Sequence, residues 1–444
     1  MESKIFKAYD IRGIYPSQID EDGVYRIGRA TAQHLGAKVV AVGRDVRESS
    51  PSLFKELVRG LTDSGADVID LGLATTPMVY FSAGRLELDA AISLTASHNP
   101  GEYNGMKICL KEAVPVGLST GLAEIRDLAM SGDFAPAETV GTVREEDIKP
   151  AYYSYFASFA ELGDRKFQVV IDTANAMGIL ELPIYEQFAG NVSVINLWND
   201  LTKPFTCHEA NPLLLETLDE LRAKVKETGS ALGMAYDGDA DRVGFVDEQG
   251  EIIPMDLMTA LIAREILKKK PGSTILYDLR SSRAVKEIIE EHGGVAIECP
   301  VGHANIKRMM RDTGAVFAGE LSGHYYFEEN SVAESSTLTA ILLLNLMAES
   351  VEPVSEIVAH TKRYVHSGEI NSEVSDKDAV LALLEKKYAD GKASRIDGIK
   401  IDYPTWWFNV RASNTEPLLR LTLEAETQEA MEEKRDELLQ VIRG

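Results

Sequence analysis

The chain contains 444 residues, of which 45% are hydrophobic and 26% are charged, a composition typical of folded globular proteins. With 70 acidic and 46 basic residues its formal net charge is −24, which argues against broad binding to nucleic acids or to anionic membranes. A chain of this length is expected to form about two to four domains.

The cysteines and the amino terminus indicate a reducing compartment. Cys109, Cys207 and Cys299 are far apart and form no CxxC pair, so we expect free thiols. Residues 1–7 contain no apolar signal-peptide core, and the longest apolar stretch, 340–348, is too short to span a bilayer. We therefore expect a cytoplasmic protein with neither a nucleic-acid nor a membrane partner.

Short apolar strands alternate with helical segments through most of the chain. The predicted strands are 38–43, 67–72, 90–95, 167–172, 192–197, 231–236, 273–279, 294–299 and 315–319. After the first strand, Leu53, Leu57 and Leu61 form one apolar helix face, with Ser50 as the predicted N-cap and Pro51 at the first helical position. Strand–helix–strand alternation of this kind predicts largely parallel or mixed sheets covered by helices.

The pattern changes after about residue 365. A predicted helix, 377–388, is followed by strand-like segments through Trp406, Trp407 and 419–423, and by an amphipathic helix over 428–442. We predict three similar α/β domains and a smaller carboxyl-terminal α+β domain, arranged around a central cleft. The predicted boundaries are 1–148, 149–252, 253–364 and 365–444.

The first candidate site loop is Thr95-Ala96-Ser97-His98-Asn99-Pro100, which follows a predicted strand. Ligands of α/β proteins bind at the carboxyl ends of parallel strands, so Ser97 beside His98 is a candidate nucleophile. A simple Ser/Asn/Pro turn is the alternative. No Gly-x-Ser-x-Gly segment occurs, so a hydrolase-type nucleophile elbow is not supported.

The second loop carries three carboxylates, Asp237, Asp239 and Asp241, followed by Arg242. Two like charges about 4 Å apart repel by ~4 kcal/mol at an effective dielectric constant of about 20. A hard divalent cation removes that repulsion, so the spacing predicts a Mg²⁺ or Ca²⁺ site; a solvated acidic turn is the alternative.

An EF-hand would also place aspartates at this spacing, with Glu248 at loop position twelve. However, Arg242 stands where the loop requires glycine. The flanking residues predict two strands joined by a turn at 248–250 rather than two helices, which argues against an EF-hand.

Two later loops carry polar groups suited to binding hydroxyl groups and phosphate. In the third, 319–324, Glu320, Ser322 and His324 lie among glycines, a pattern that fits either hydroxyl recognition or a plain hairpin turn. In the fourth, 411–415, Arg411 precedes hydroxyl and amide side chains and Arg420 follows, which fits either a phosphate cradle or a capped turn. The absence of GxxxxGK[ST] and GxGxxG leaves a P-loop and a Rossmann cofactor site unsupported.

Together the four loops resemble those of the α-D-phosphohexomutase superfamily, most closely its bacterial phosphomannomutase/phosphoglucomutase branch. The resemblance spans the whole chain and includes the segments 8–13 (AYDIRG), 43–45 (GRD) and 300–303 (PVGH). Members of this family have four domains around a cleft, and each domain contributes one loop.

The resemblance implies that Ser97 is carried as a phosphoserine. It also implies that Asp237, Asp239 and Asp241, together with a phosphate oxygen of Ser97, hold one Mg²⁺ per chain. Arg12 and Arg242 would stabilise the phosphoryl oxygens, and His98 would orient the serine. Lys107 would accept a proton from the sugar hydroxyl if neighbouring cations lowered its pKa.

The implied reaction is the reversible isomerisation of a hexose 1-phosphate and a hexose 6-phosphate, of mannose, glucose or both. A hexose 1,6-bisphosphate would form, turn over in the cleft and return its other phosphate to Ser97. The implied substrate-binding residues are Tyr9, Arg280, His303, Glu320, Ser322, His324, Arg411, Ser413, Asn414, Thr415 and Arg420. Arg280 stands where related members often have lysine, and these two cations bond phosphate differently.

Other functions fit part of this pattern. A metal-dependent sugar-phosphate phosphatase would use Ser97 and the metal without needing the two later loops. A calcium-binding scaffold would use only the aspartates, and within the family a phosphoglucosamine mutase is the alternative. We expect the phosphosugar to be the partner of a monomer or a small homo-oligomer.

Overall fold

The computed structural model describes residues 1–412 and 418–444, which form four separate β-sheets flanked by helices. The first sheet contains β1 (Ile11–Ile14), β2 (Val39–Arg44), β3 (Asp67–Leu73), β4 (Ala90–Leu94), β5 (Tyr103–Leu110), β6 (Val114–Pro115) and β7 (Val143–Glu145), with helices α1 (Glu21–Leu35), α2 (Ser50–Asp63), α3 (Thr76–Arg85) and α4 (Leu122–Ser131). Every strand pair that includes β5 is antiparallel and the others are parallel.

The second and third sheets have five strands each. The second domain contains α5 (Lys149–Ala157), β8 (Phe167–Asp172), α6 (Leu182–Glu186), β9 (Val192–Leu197), α7 (Asp219–Thr228), β10 (Leu232–Tyr236), β11 (Val243–Asp247) and β12 (Ile252–Ile253). The third contains α8 (Met255–Lys269), β13 (Thr274–Asp278), α9 (Arg283–Glu291), β14 (Val295–Cys299), α10 (His303–Thr313), β15 (Phe317–Gly319), β16 (Tyr325–Phe327), β17 (Ala333–Glu334), α11 (Ser336–Glu349) and α12 (Val354–Ala359).

These sheets repeat one topology. Each has three parallel strands followed by an antiparallel strand, in the spatial orders β9-β8-β10-β11-β12 and β14-β13-β15-β16-β17. The first sheet contains the same arrangement as β3-β2-β4-β5. The serine, aspartate and third loops therefore occupy the same place in three repeats, between the last parallel strand and the antiparallel strand.

The carboxyl-terminal sheet is antiparallel throughout, in the order β18-β22-β21-β20-β19. Its elements are β18 (Val365–Glu373), α13 (Lys377–Lys387), β19 (Lys392–Ser394), β20 (Ile399–Asp402), β21 (Trp406–Ala412), β22 (Leu418–Ala425) and α14 (Gln428–Arg443). The predicted fold class, three mixed α/β domains and a smaller α+β domain, is confirmed. The boundaries at 148, 252 and 364 stay predictions.

The hydrophobic cores follow this division. One continuous buried cluster joins residues of the first three domains, including Met78, Ile171 and Leu261. The carboxyl-terminal domain has its own cluster around Phe408 and Leu421. Since the described apolar cores of the last domain and the other three are separate, polar contacts carry much of its attachment.

Two helices show how local sequence sets these elements. Leu53, Leu57 and Leu61 are fully buried on α2, as their spacing predicts. The helix begins one residue earlier than predicted: Ser49 is at the N-cap and Pro51 is the second helical residue, while the hydroxyl of Ser50 donates to the Asp45 carboxylate. Along the described residues no helix is both long and apolar enough to cross a membrane.

Candidate active site

Ser97 lies in the loop between β4 and β5 with its side chain fully buried. Its backbone is left-handed (φ 53°), which is unfavourable for a residue with a Cβ atom. Its amide donates to Thr95 Oγ1 over 3.0 Å, and its hydroxyl donates to Asp237 Oδ2 over 3.0 Å. The strained turn therefore aims the serine oxygen at the aspartate loop of the second domain.

Arg47 holds this turn in place, and the sequence analysis missed it. Its guanidinium donates to the carbonyl oxygens of four loop residues, Ser97, Asn99, Pro100 and Tyr103. It also pairs with Asp45 over 2.9 Å, and it is almost fully buried. In the sequence, Arg47 is visible as an arginine within the polar segment 44–50. No pattern in that segment indicates that a loop about 50 residues further along the chain packs over it.

Asp237, Asp239 and Asp241 follow β10 and are buried together, with one oxygen of each within 4.8 Å of the others. The backbone of this loop touches the serine loop: a Cβ on Gly238 would lie 2.2 Å from the Ser97 carbonyl oxygen. Only glycine permits this approach, so the two loops meet directly. The predicted clustering of the three carboxylates is what the fold produces.

The electrostatics of this cluster suit a divalent cation. Burial and the carboxylates of Asp241 and Asp239 raise the pKa of Asp237 to about 8. Asp239 Oδ1 is buried with no hydrogen-bond partner among the described residues. An unpaired buried carboxylate oxygen is costly, and a hard cation such as Mg²⁺ would satisfy it.

Lys107 lies on β5 and reaches the same cluster. Its Nζ is 2.6 Å from Asp239 Oδ2 and also pairs with Asp241. Burial lowers the pKa of Lys107, but the two carboxylates outweigh burial and raise it. The expectation that neighbouring cations lower this pKa is therefore wrong here, because anions rather than cations are its nearest neighbours.

Arg12, His98 and Arg242 surround the serine. Arg12 donates to Asn99 Oδ1 over 2.7 Å, and Arg242 Nε is 3.9 Å from Asp237 Oδ2. His98 Nδ1 is 3.3 Å from Ser97 Oγ. Burial and the two arginines hold the pKa of His98 well below its usual range, so this imidazole is neutral at pH 7.

The third loop joins β15 to β16 and faces the aspartates. His324 Nε2 lies 3.2 Å from Arg242 Nε and 3.3 Å from Asp241 Oδ1. Ser322 Oγ is 2.8 Å from His324 Nδ1. Burial and Arg242 lower the pKa of His324, yet the carboxylates of Asp241 and Glu320 dominate and raise it to about 9.

Tyr9 and His303 form an aromatic pair beside this loop. Their ring centroids are 5.4 Å apart in an edge-on arrangement, and Asn305 donates to the Tyr9 hydroxyl over 3.0 Å. His303 Nδ1 is 3.7 Å from the carboxylate of Glu334, which pairs with buried Lys307. The sequence analysis identified neither Asn305 nor Glu334, because each only supports another site residue.

The fourth loop is described in part. Arg411 lies near the end of β21 and Arg420 lies opposite it on β22, and both contact Glu369 of β18. The predicted ligands Ser413, Asn414 and Thr415 lie outside the described residues. Arg280 donates to Asp278 Oδ2 over 2.7 Å and lies 3.4 Å from Glu320 Oε1.

An unbroken chain of polar contacts links the loops of all four domains. It runs in order through Ser97, Asp237, Arg242, His324, Glu320, Arg280, Glu369 and Arg411. The structure therefore brings the described site residues into one region, as the sequence analysis expected.

Comparison with known proteins decides the family. The chain matches profiles described as phosphoglucomutase/phosphomannomutase alpha/beta/alpha domains I, II and III and the C-terminal domain, over residues 3–135, 150–250, 254–364 and 369–441. This chain belongs to the phosphoglucomutase/phosphomannomutase family. The prediction of a phosphohexomutase enzyme, in preference to a phosphatase or a scaffold, is thereby confirmed.

Relatives cover the whole chain. It is 39% identical to a phosphomannomutase of Methanocaldococcus jannaschii, over 99% of this chain and 97% of that one. It is 35% identical to a phosphomannomutase/phosphoglucomutase of Pseudomonas aeruginosa, over 97% and 94%. The crystal structure of a phosphoglucomutase/phosphomannomutase family protein from Burkholderia thailandensis superimposes with a TM-score of 0.91 at 30% identity, covering 99% of this chain and 97% of that chain.

The EF-hand is excluded by the observed topology. β11 and β12 form an antiparallel hairpin after the aspartates, as the sequence analysis predicted. Glu248 sits in the turn of that hairpin and accepts a hydrogen bond from the Ser355 backbone over 3.1 Å, so it is engaged away from the aspartate cluster.

The sequence analysis did not identify two threonines, Thr75 and Thr76, as residues that support the site. Thr76 begins α3, and its hydroxyl donates to Asp239 Oδ2 over 2.5 Å while its amide donates to the Asp239 carbonyl over 3.0 Å. The preceding Thr75 donates to the buried carboxylate of Glu181 over 2.7 Å. A helix amino terminus of the first domain thus supports an aspartate of the second.

Proposed function

We propose that this enzyme interconverts the 1-phosphates and 6-phosphates of mannose and glucose through a phosphoserine at Ser97 and a hexose 1,6-bisphosphate. The observation that carries this proposal is the hydrogen bond from Ser97 Oγ to Asp237 Oδ2, within a buried cluster of three carboxylates. Backbone strain of this kind is typical of active-site residues. Here it holds a hydroxyl at the edge of an anionic cluster, which fits a serine that exchanges a phosphoryl group.

In the forward direction the phosphoryl group leaves Ser97 Oγ and bonds to the free hydroxyl of the sugar. That hydroxyl loses one proton while the departing Ser97 Oγ gains one. In the second half Ser97 Oγ loses its proton as it takes up the other phosphoryl group, and the sugar oxygen that releases this group gains one. One cycle therefore consumes no proton. The reaction is slow without a catalyst, and positioning with charge neutralisation supplies most of the acceleration.

The chain's own cations carry that neutralisation. Arg12, bonded to the loop residue Asn99, and Arg242, beside Asp237, lie where they can bind phosphoryl oxygens. Lys107 is a cation in this structure, so we assign it to holding the carboxylates rather than to proton abstraction. His98, neutral and 3.3 Å from Ser97 Oγ, orients the serine.

The residues that fit one Mg²⁺ are Asp237, Asp239 and Asp241, because they form a buried oxygen cluster with an unsatisfied acceptor. When bound, Mg²⁺ supplies positive charge that stabilises the phosphoryl oxygens. A solved relative at low identity is described as an N-acetylphosphoglucosamine mutase in complex with GlcNAc-6P and magnesium, which agrees with this choice of ion.

The remaining residues suit a sugar that binds in two orientations. Glu320, Ser322, His324, His303 and Tyr9 present carboxylate, hydroxyl, imidazole and phenol groups that can bond sugar hydroxyls. The distal phosphate would bind a cradle that comprises Arg280, Arg411, Arg420, Ser413, Asn414 and Thr415. One fixed cradle can hold either phosphate of the bisphosphate, so the same site serves both halves of the reaction.

The test is an incubation with mannose 1-phosphate or glucose 1-phosphate, Mg²⁺ and a trace of glucose 1,6-bisphosphate, followed by phosphorus NMR. We expect the 6-phosphate from both sugars and none from the Ser97→Ala variant. Intact mass should show a subpopulation of the wild type heavier by one phosphoryl group, absent from the variant. Release of free sugar, faster conversion of glucosamine 1-phosphate, or full activity of the variant would contradict the proposal.

A further inference from the structure

Glu369 occupies the centre of the described part of the cradle. Its Oε2 accepts from Arg411 over 2.7 Å and from Arg280 over 3.3 Å, and its Oε1 accepts from Arg420 over 3.0 Å. It lies on β18, at the edge of the carboxyl-terminal sheet next to β22. A single carboxylate therefore contacts all three arginines that are proposed to bind the distal phosphate.

The three arginines differ in their acidic contacts. Asp278 contacts Arg280 twice, at 3.2 and 2.7 Å. Arg411 and Arg420 lie opposite each other on β21 and β22, and each contacts Glu369 of β18. Because burial is outweighed by Arg280, Arg411 and Arg420, the pKa of Glu369 is lowered, so the carboxylate is ionised at neutral pH.

Part of the cradle is nevertheless unsatisfied. Arg411 is more than nine-tenths buried, and its Nε has no hydrogen-bond partner among the described residues. A guanidinium has five N–H donors, so one carboxylate leaves donors for an incoming anion. Glu369 can therefore stay in place while a phosphate binds the other edge of Arg411.

The proposed reaction sets a limit on how tightly this cradle can bind. The bisphosphate must release its distal phosphate, turn, and bind again through its other end. A cradle that binds the intermediate too strongly stabilises a ground state and slows the cycle. The carboxylate removes one unit of positive charge from the place where the dianionic phosphate binds.

We propose that Glu369 is a built-in counter-charge that weakens the cradle's hold on phosphate, so that the bisphosphate can leave and reorient. This inference rests on the proposed function only for its kinetic consequence. The weakening of anion binding follows from the contacts themselves and can be measured without turnover.

The first experiment compares inorganic phosphate binding to the full chain and to Glu369→Gln by calorimetry. Glutamine keeps the shape and removes the charge. We expect the dissociation constant for phosphate to fall roughly tenfold, the size expected when one like charge about 6 Å from a dianion is removed at a hydrated site. In the Arg411→Ala background phosphate should bind more weakly, and the same substitution should tighten it by a smaller factor, because Arg280 and Arg420 still contact Glu369.

The second measurement uses turnover of glucose 1-phosphate. We expect kcat and KM to fall together in Glu369→Gln, with released bisphosphate reduced, because the intermediate is held longer. Glu298→Gln is the matched control: it removes a carboxylate that pairs with Lys400 across the same pair of domains, outside the cradle, and should leave both constants unchanged.

Three outcomes would overturn the inference: unchanged phosphate binding, weaker binding, or a rise in KM in Glu369→Gln. If that variant does not fold, Glu369→Asp replaces it, because its shorter side chain draws the charge back and should tighten binding by a smaller factor. If the wild type converts no hexose phosphate while Glu369→Gln still tightens phosphate, the proposed function fails and the counter-charge stands.

Discussion

At the scale of single residues, the site depends on side chains that support a functional group without carrying the reaction. Arg47 holds four carbonyl oxygens of the serine turn, and Thr76 holds the carboxylate of Asp239. Groups behind a metal ligand fix its orientation, and their loss commonly costs about 10–100-fold in affinity or activity. These residues are therefore as testable as the serine itself.

We predict that Thr76→Val lowers kcat about tenfold and raises the Mg²⁺ concentration needed for half-maximal activity. Valine keeps the shape but removes the donor to Asp239 Oδ2, and it also breaks the 2.9 Å contact with Ser93. Initial rates measured over a Mg²⁺ titration check this. Thr76→Ser, which keeps the hydroxyl, should remain close to the wild type; equal losses in both variants would contradict a positioning role.

At the scale of elements, α1 and α2 pack unusually closely in the first domain. A Cβ on Gly60 would lie 2.2 Å from the Tyr25 carbonyl oxygen, and one on Gly28 would lie 2.6 Å from the Leu57 carbonyl oxygen. The two helices approach backbone to backbone at these glycines. This contact fixes the position of α2, and Arg47 lies in the short segment that joins β2 to α2.

We predict that Gly60→Ala lowers the free energy of unfolding by about 1–3 kcal/mol, because the added methyl group must push one helix backbone away from the other. Urea unfolding followed by circular dichroism measures this. Gly190→Ala is the control, since no atom lies within 4 Å of its new methyl group, and it should change stability by less than about 0.5 kcal/mol. Similar effects of both substitutions would argue against the tight crossing.

At the scale of the whole molecule, Glu181 lies where three domains meet. Its buried carboxylate accepts from Thr75 of the first domain, Tyr152 of the second and Thr337 of the third. Burial raises its pKa to about 6, and the three hydrogen bonds only partly oppose that rise. The junction of these domains thus contains a carboxyl group that titrates just below neutral pH.

This group makes stability depend on pH. Its pKa rises from 4.5 to about 6 on folding, so its contribution is fully present below pH 4.5 and is lost as the pH rises through 6. The shift is worth about 2 kcal/mol. We predict that Glu181→Gln is less destabilising at pH 7.5 than at pH 4 by about that amount, measured by unfolding at both pH values.

Exposed Glu186 on α6 provides the control, and Glu186→Gln should show no such difference between the two pH values. A pH-independent effect of Glu181→Gln would mean that this carboxyl group titrates alike in the folded and unfolded chain.

The sequence by itself determined the elements and the chemical groups. Apolar runs bounded by turns mark strands because burial and pleat period are local properties, and Ser97, the three aspartates and Arg411 are visible as polar loops after such runs. The fold class follows from that pattern, whereas the family was indicated by the resemblance of the four loops and decided by the comparison with known proteins. The repeated topology explains why site loops can be recognised as polar segments after apolar strands, because three of these loops occupy the same hairpin in three domains.

Only the tertiary structure decided which charges meet. Lys107 and Asp239 are 132 positions apart, and Glu369 and Arg280 are 89 apart, so no local pattern shows that they pair. A pKa depends on burial and on all neighbouring charges, which is why the expected lowering of the Lys107 pKa was wrong. For the same reason Arg47 emerges as a supporting residue only when the first domain folds, and Thr76, Glu181 and Glu369 emerge only when domains pack against one another.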